Sequence, residues 1–142
     1  MQNQNLNNHS RFVPLYHYVT FALLLLVLIG SMVNLCNSAK ENLYSASLLV
    51  VLTFATILVT FFARSFALKA QDRAIRAEEN FRHYIATGQQ LDNRLTMQQI
   101  IALRFAGDNE FVALVKKAAN ESMNAKDIKT SIQNWKGDYD RV

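Results

Sequence analysis

Apolar residues are not spread evenly along this chain. No Asp, Glu, Lys or Arg lies between Arg11 and Lys40, and none lies between Glu41 and Arg64. The apolar parts, Pro14 to Leu35 and Leu43 to Ala63, would form helices of roughly 33 and 31 Å at about 1.5 Å per residue. Each matches a hydrocarbon core of about 30 Å. The pattern predicts transmembrane helices over residues 13–36 and 43–63, joined by a short external loop at 37–42. A cleaved leader fits poorly, because the first run exceeds a signal core and Asn37 disturbs the small pair Ser38 and Ala39.

A second pattern crosses the end of the second span. Ala46, Leu49, Thr53, Thr56, Thr60, Ala63, Ala67, Ala70, Ala74 and Ala77 follow one another in steps of three and four, continued by Phe81 and Tyr84. Those steps lie on one face of a helix, and small side chains there favour close helix packing. No Gly or Pro interrupts Leu43 to Thr87, so the span is expected to run on as a helical extension over 64–87 until Gly88 ends it. Asp72 with Arg76 and Glu78 with Arg82 have the spacing of exposed ion pairs on such a helix.

Residues 91–142 carry shorter signals. Thr96 and Gln99 have capping-box spacing before Ile100, Ile101, Leu103 and Phe105, and Gly107 stops that run. Asp108 reads as the cap of a segment with Phe111, Val112, Leu114, Val115 and Ala118. Asn124 and Asp127 start a third, with Ile128, Ile132 and Trp135 on one face and Gly137 as its stop. About 50 residues are marginal alone. The module is therefore expected to fold back on the seam formed by Ala67, Ala70, Ala74, Ala77, Phe81 and Tyr84, burying Trp135. The fold class expected is all-α: a two-helix transmembrane hairpin, a long cytoplasmic helix and about three short helices.

Charge sets the orientation. Arg64, Lys69, Arg73 and Arg76 follow the second span, while Lys40 and Glu41 cancel in the loop, so the positive-inside bias puts both termini in the cytoplasm. The polar tail, residues 1–12, is rich in Asn and Gln and is expected to be disordered or a loose strand. From Arg64 onward 13 Lys and Arg face 10 Asp and Glu, too even a balance for a nucleic-acid footprint.

Candidate chemistry is sparse. His9, His17 and His83 are scattered, Cys36 is the one cysteine, and no metal-ligand spacing or Gly-rich phosphate loop occurs. Neither span holds an internal charge of the kind that marks ion pathways. Catalytic residues, a cofactor and a metal are therefore not expected. His9, Arg11, Tyr16, His17, Arg64 and Lys69 gather near the expected headgroup level and are candidate interfacial or lipid contacts. Thr53, Thr56, Thr60 and the alanines after them are candidate helix-packing positions.

The segments Asn8 to His17, Gln71 to Asn80 and Arg94 to Ala106 resemble those of an uncharacterised family of short bacterial membrane proteins, over nearly the whole chain. The resemblance implies two spans with a cytoplasmic helical tail, in a bacterial inner membrane, and carries over no functional residue. The expected function is a non-enzymatic anchor, scaffold or accessory subunit whose partners are the bilayer and either another membrane protein or a second copy. The alternative is a membrane-bound enzyme or lipid-headgroup-binding protein at the cytoplasmic interface. No nucleic acid and no small-molecule substrate is indicated.

Overall fold

A computed structural model describes residues 4–6, 8 and 12–139, and among these every regular element is helical. Helix α1, Leu15–Asn37, is 23 residues long. Its first part, Leu15–Thr20, is wound as a π-helix, and the rest is α-helical. Pro14 stands directly before it with helical torsions, where its missing amide is not needed. A 3₁₀ turn, Lys40–Asn42, leads into α2, Leu43–Thr87, an unbroken helix of 45 residues. Gly88 ends α2 with φ of 72°, the left-handed cap that a side chain resists, and donates its N–H to the Tyr84 carbonyl at 2.7 Å.

Three short helices follow: α3, Met97–Leu103; α4, Asp108–Asn120; and α5, Ala125–Ser131. Both halves of the capping box at Thr96 and Gln99 are formed. The Asn124 carboxamide accepts from the Lys126 and Asp127 amides. Helix α4 is capped by Gly107 rather than by the expected Asp108, whose carboxylate is instead paired with Arg82.

The chain divides into two compact units, one of residues Phe12–Ala67 and one in which Leu68–Val142 joins the N-terminal segment. In the first unit both helices are long and apolar enough to cross a membrane, and only 6% and 11% of their apolar windows are buried. Ser31, Ala46 and Thr53 are its buried positions. In a unit of two helices, those side chains mark where the helices meet. Ser31 is buried, whereas its neighbour Gly30 has nothing within 4 Å of a built Cβ. Thr53, Thr56 and Thr60 donate to the carbonyls four residues back at 2.8, 2.8 and 2.9 Å.

The second unit has a conventional core. Phe105, Phe111, Leu103, Ile128 and Val115 are its largest fully buried side chains, joined by Ile75 from α2 and by Leu91 and Leu95 from the connection. Three expectations change here. The module does pack on α2, but through Ile75, Glu79 and His83, which are buried, whereas Ala70, Ala74, Ala77, Phe81 and Tyr84 are exposed. At about 3.6 residues per turn the alanine seam falls on the side of α2 opposite that buried face. Ile75 supplies an apolar anchor of a size that an alanine row lacks.

The third segment is also shorter than its pattern implies. Helix α5 ends at Ser131, and the following chain is extended, with an antiparallel bridge between Ala106 and Trp135. Gly107 donates to the Asn134 carbonyl at 2.7 Å and Lys136 to the Phe105 carbonyl at 2.8 Å. The Glu110 carboxylate accepts from the Gln133 and Asn134 amides at 3.1 and 2.8 Å. These bonds outweigh the helical period. A Cβ at position 107 would lie 2.9 Å from the Asn134 carbonyl oxygen, so glycine is required for this approach. Trp135, expected to be buried, is half-buried and lies against Phe105 with ring centroids 5.2 Å apart.

The tail is more ordered at one point than its composition implies. Gln4 donates to the Asp138 carbonyl at 3.0 Å and accepts from the Asp138 amide at 2.8 Å. Gln4 and Asp138 are thereby tied within the second unit.

Candidate functional site

Polar chemistry in the second unit concentrates around Arg82, on the face of α2 that meets the module. Its guanidinium donates to Asp108 at 2.8 Å, to Glu79 at 3.1 Å and to the Ala106 carbonyl at 2.7 Å, and lies over the Phe111 ring at 4.1 Å. Burial raises the Glu79 carboxyl above the usual carboxylate range, and Arg82 only partly opposes that rise. The hydrogen bond from Arg82 holds Asp108 below its ordinary value. His83 is buried beside them, with Nδ1 at 2.8 Å from the Gln89 carbonyl and its ring edge-on to Phe111.

The spacing predicts an exposed pair of Glu78 with Arg82. Instead Arg82 pairs with Glu79 and Asp108, not with Glu78. Sequence spacing places an acid within reach of a base along one helix, but only the docking of α4 selects which acid is used. Arg104 and Gln99 serve the same structural end. Arg104 is buried with Nη1 at 2.9 Å from the Asp138 carboxylate, and Gln99 donates to the Met123 carbonyl at 2.7 Å.

Beside this node, α2 and the connection after it enclose a groove of about 840 Å³. Lys69, Asp72, Arg73 and Arg76 line it from α2, and Gln90, Asp92, Asn93, Leu95, Met97 and Ile100 from the connection and α3. Asn80 accepts the Leu91 amide at 2.9 Å, which fixes the connection against the helix. Arg94 holds Asp92 through contacts of 2.6 to 3.1 Å, and these hydrogen bonds lower the Asp92 carboxyl to about 2. Among the described residues no group of three or more His, Cys, Asp or Glu could hold a metal ion.

The six residues expected as interfacial contacts are divided by the fold. His9 and Arg11 lie outside the described residues. In the first unit Tyr16 reaches the Thr60 carbonyl at 3.4 Å, and the Arg64 guanidinium lies 5.7 Å from the Tyr16 ring centroid. His17 folds onto its own helix, with Nδ1 at 2.8 Å from the Val13 carbonyl and its ring stacked on Phe12. Lys69 belongs to the groove of the second unit. Of the packing seam, Thr53 is buried, Thr60 and Ala67 are half-buried, and Thr56 and Ala63 are exposed.

A family model described as a family of unknown function matches residues 1–142. The chain belongs to DUF6526. Neither a curated protein nor a solved structure matches it. Membership in DUF6526 assigns no residue a role, so the Arg82 node and the groove stand on their geometry alone. Sequence reasoning missed the node because its members come from α2, α4 and the turn between α3 and α4. It missed the groove as a unit, although three cations at positions 69, 73 and 76 carry the spacing of one helix face.

Proposed function

We propose that this protein is a two-span integral membrane anchor that carries a small helical module on the cytoplasmic side, serving as a scaffold or accessory subunit rather than as an enzyme. One observation supports the membrane reading above the rest. Leu23, Leu26, Val51 and Val59 are 56%, 66%, 63% and 66% exposed along the two long helices. A continuous apolar surface of that kind is unfavourable in water and is satisfied by hydrocarbon.

The tie between Gln4 and Asp138 supports an even number of crossings, since it requires the tail and the module to share one side. The basic residues after the second apolar stretch favour the cytoplasm as that side. The scaffold reading draws support from how the module's polar groups are used. Buried Glu79, Arg104 and Gln99, with half-buried Arg82 and exposed Asp108, all hold the module together.

Membrane extraction and reporter fusions test the reading. The protein should resist alkaline carbonate and yield to detergent. Fusions at residue 1 and after Val142 should report cytoplasm, and one at Lys40 the opposite side. Release by carbonate, or a C-terminal reporter outside the cytoplasm, would sink it.

A further inference from the structure

The groove beside α2 combines features that the scaffold reading leaves unused. Lys69, Arg73 and Arg76 stand at i, i+4 and i+7 and therefore form one cationic stripe along its wall. The lining carries Lys69, Arg73 and Arg76 against the carboxylates of Asp72 and Asp92, and Arg94, from just outside the lining, holds Asp92 at 2.6 Å. Leu91, Leu95 and Ile100 are buried beneath the opening, and half-buried Met97 adds apolar surface at its side. Gln90 and Asn93 contribute amide groups to the same lining.

Cations on one wall with an apolar floor select a ligand that is anionic at one end and apolar at the other. A volume of about 840 Å³ falls within the range of roughly 300 to 1,000 Å³ usual for small-molecule sites. Guanidinium groups bind phosphate oxygens bidentately, which gives direction as well as charge. The wall is also prepared in advance. The Asn80 bond to Leu91 and the Asp92 bonds to Arg94 fix the connection across from the cations.

We propose that this groove binds a phosphate ester, with Arg73 and Arg76 as its principal ligands and Lys69 adding charge. An anionic phospholipid headgroup and a soluble phosphate ester share that chemistry. The phosphate site itself goes beyond the anchor reading, and only its lipid source rests on that reading.

The test uses the full chain in mild detergent with two probes. Native mass spectrometry in an equimolar mixture of phosphatidylglycerol and phosphatidylcholine reads the lipid source. A shift in melting temperature on adding glycerol 3-phosphate reads the soluble one. In at least one arm the wild type should select the phosphate probe. Arg73→Gln and Arg76→Gln should each weaken it by roughly tenfold, as expected for loss of a charge-assisted hydrogen bond.

Both arginines are exposed, so these variants should fold. The double variant Arg73→Lys with Arg76→Lys should recover part of the binding. Lys116→Gln with Lys117→Gln removes two charges, more than either arginine variant, from exposed positions of α4 and should leave binding unchanged. Selection in the lipid arm assigns a headgroup, and selection in the glycerol 3-phosphate arm alone assigns a soluble ester. No selection in either arm, equal binding by the glutamine variants, or an equal loss in the α4 variant would overturn the proposal. Carbonate extraction judges the membrane reading separately.

Discussion

The phenylalanines of residues Phe12–Ala67 and those that follow Gly88 face opposite ways. Phe54, Phe61 and Phe62 of residues Phe12–Ala67 are 51%, 66% and 48% exposed, whereas Phe105 and Phe111 of the second unit are 0% and 1% exposed. The first pattern suits a surrounding that supplies neither water nor hydrogen-bond partners. The second suits a domain that makes its own apolar interior. A single helix, α2, contributes to both, so hydrophobicity alone does not say which side of a helix is inside.

The largest test of this contrast removes one ring from each unit. Phe111→Ala should destabilise the module by about 3 to 5 kcal/mol, because its cavity lies in a packed core. Phe62→Ala should leave the unfolding transition of the module unchanged. Hydrogen exchange of α3 and α4 amides in the full-length protein checks both, and equal loss from the two variants would erase the distinction.

An intermediate effect is expected at the Arg82 node. Arg82→Met leaves Glu79 buried without its counter-charge and should cost about 3 kcal/mol at neutral pH. The pH dependence has two signs. Glu79 titrates above its unfolded value of 4.5 in the folded protein, so its ionisation lowers stability as pH rises past that value. Asp108 and Asp92 titrate below 3.8, so their contributions are present above that pH and are lost on further acidification, for Asp92 through about 2. Arg82→Met should steepen the loss of stability between pH 4.5 and 7, and adding Glu79→Gln should flatten it. A pH-independent effect of Arg82→Met would break the electrostatic account.

The smallest effect is expected on the alanine seam. Ala70→Leu and Ala74→Leu sit at exposed positions and should change module stability by less than about 0.5 kcal/mol in chemical denaturation. A cost above about 1 kcal/mol would mean that the seam is covered after all.

These contrasts also mark how far the sequence could be read. The stop at Gly88, the box at Thr96 and Gln99 and the cap at Asn124 depend on residues close in sequence, and each is present. The face of α2 that packs was misassigned, because an unbroken row of small residues outshone a single Ile75 whose partners are supplied from far along the chain. Trp135 kept a helical period with Ile128 and Ile132 while the backbone there is extended, since Phe105, Gly107 and Glu110 claim its neighbours' amides and carbonyls. The groove was half legible. Its cations were visible as a basic run, but the connection that turns the run into a concave site needed the fold.

The tie between Gln4 and Asp138 joins residues 134 apart in sequence, so Gln4 is made long before its partner. Domains fold as the chain emerges, N-terminal parts first, yet this bond has to wait until Asp138 has been made. The tail lacks that tether for the whole period in which the apolar helices are made. A chain truncated before Asp138 never closes it, and protease sensitivity of the tail would report when the bond forms.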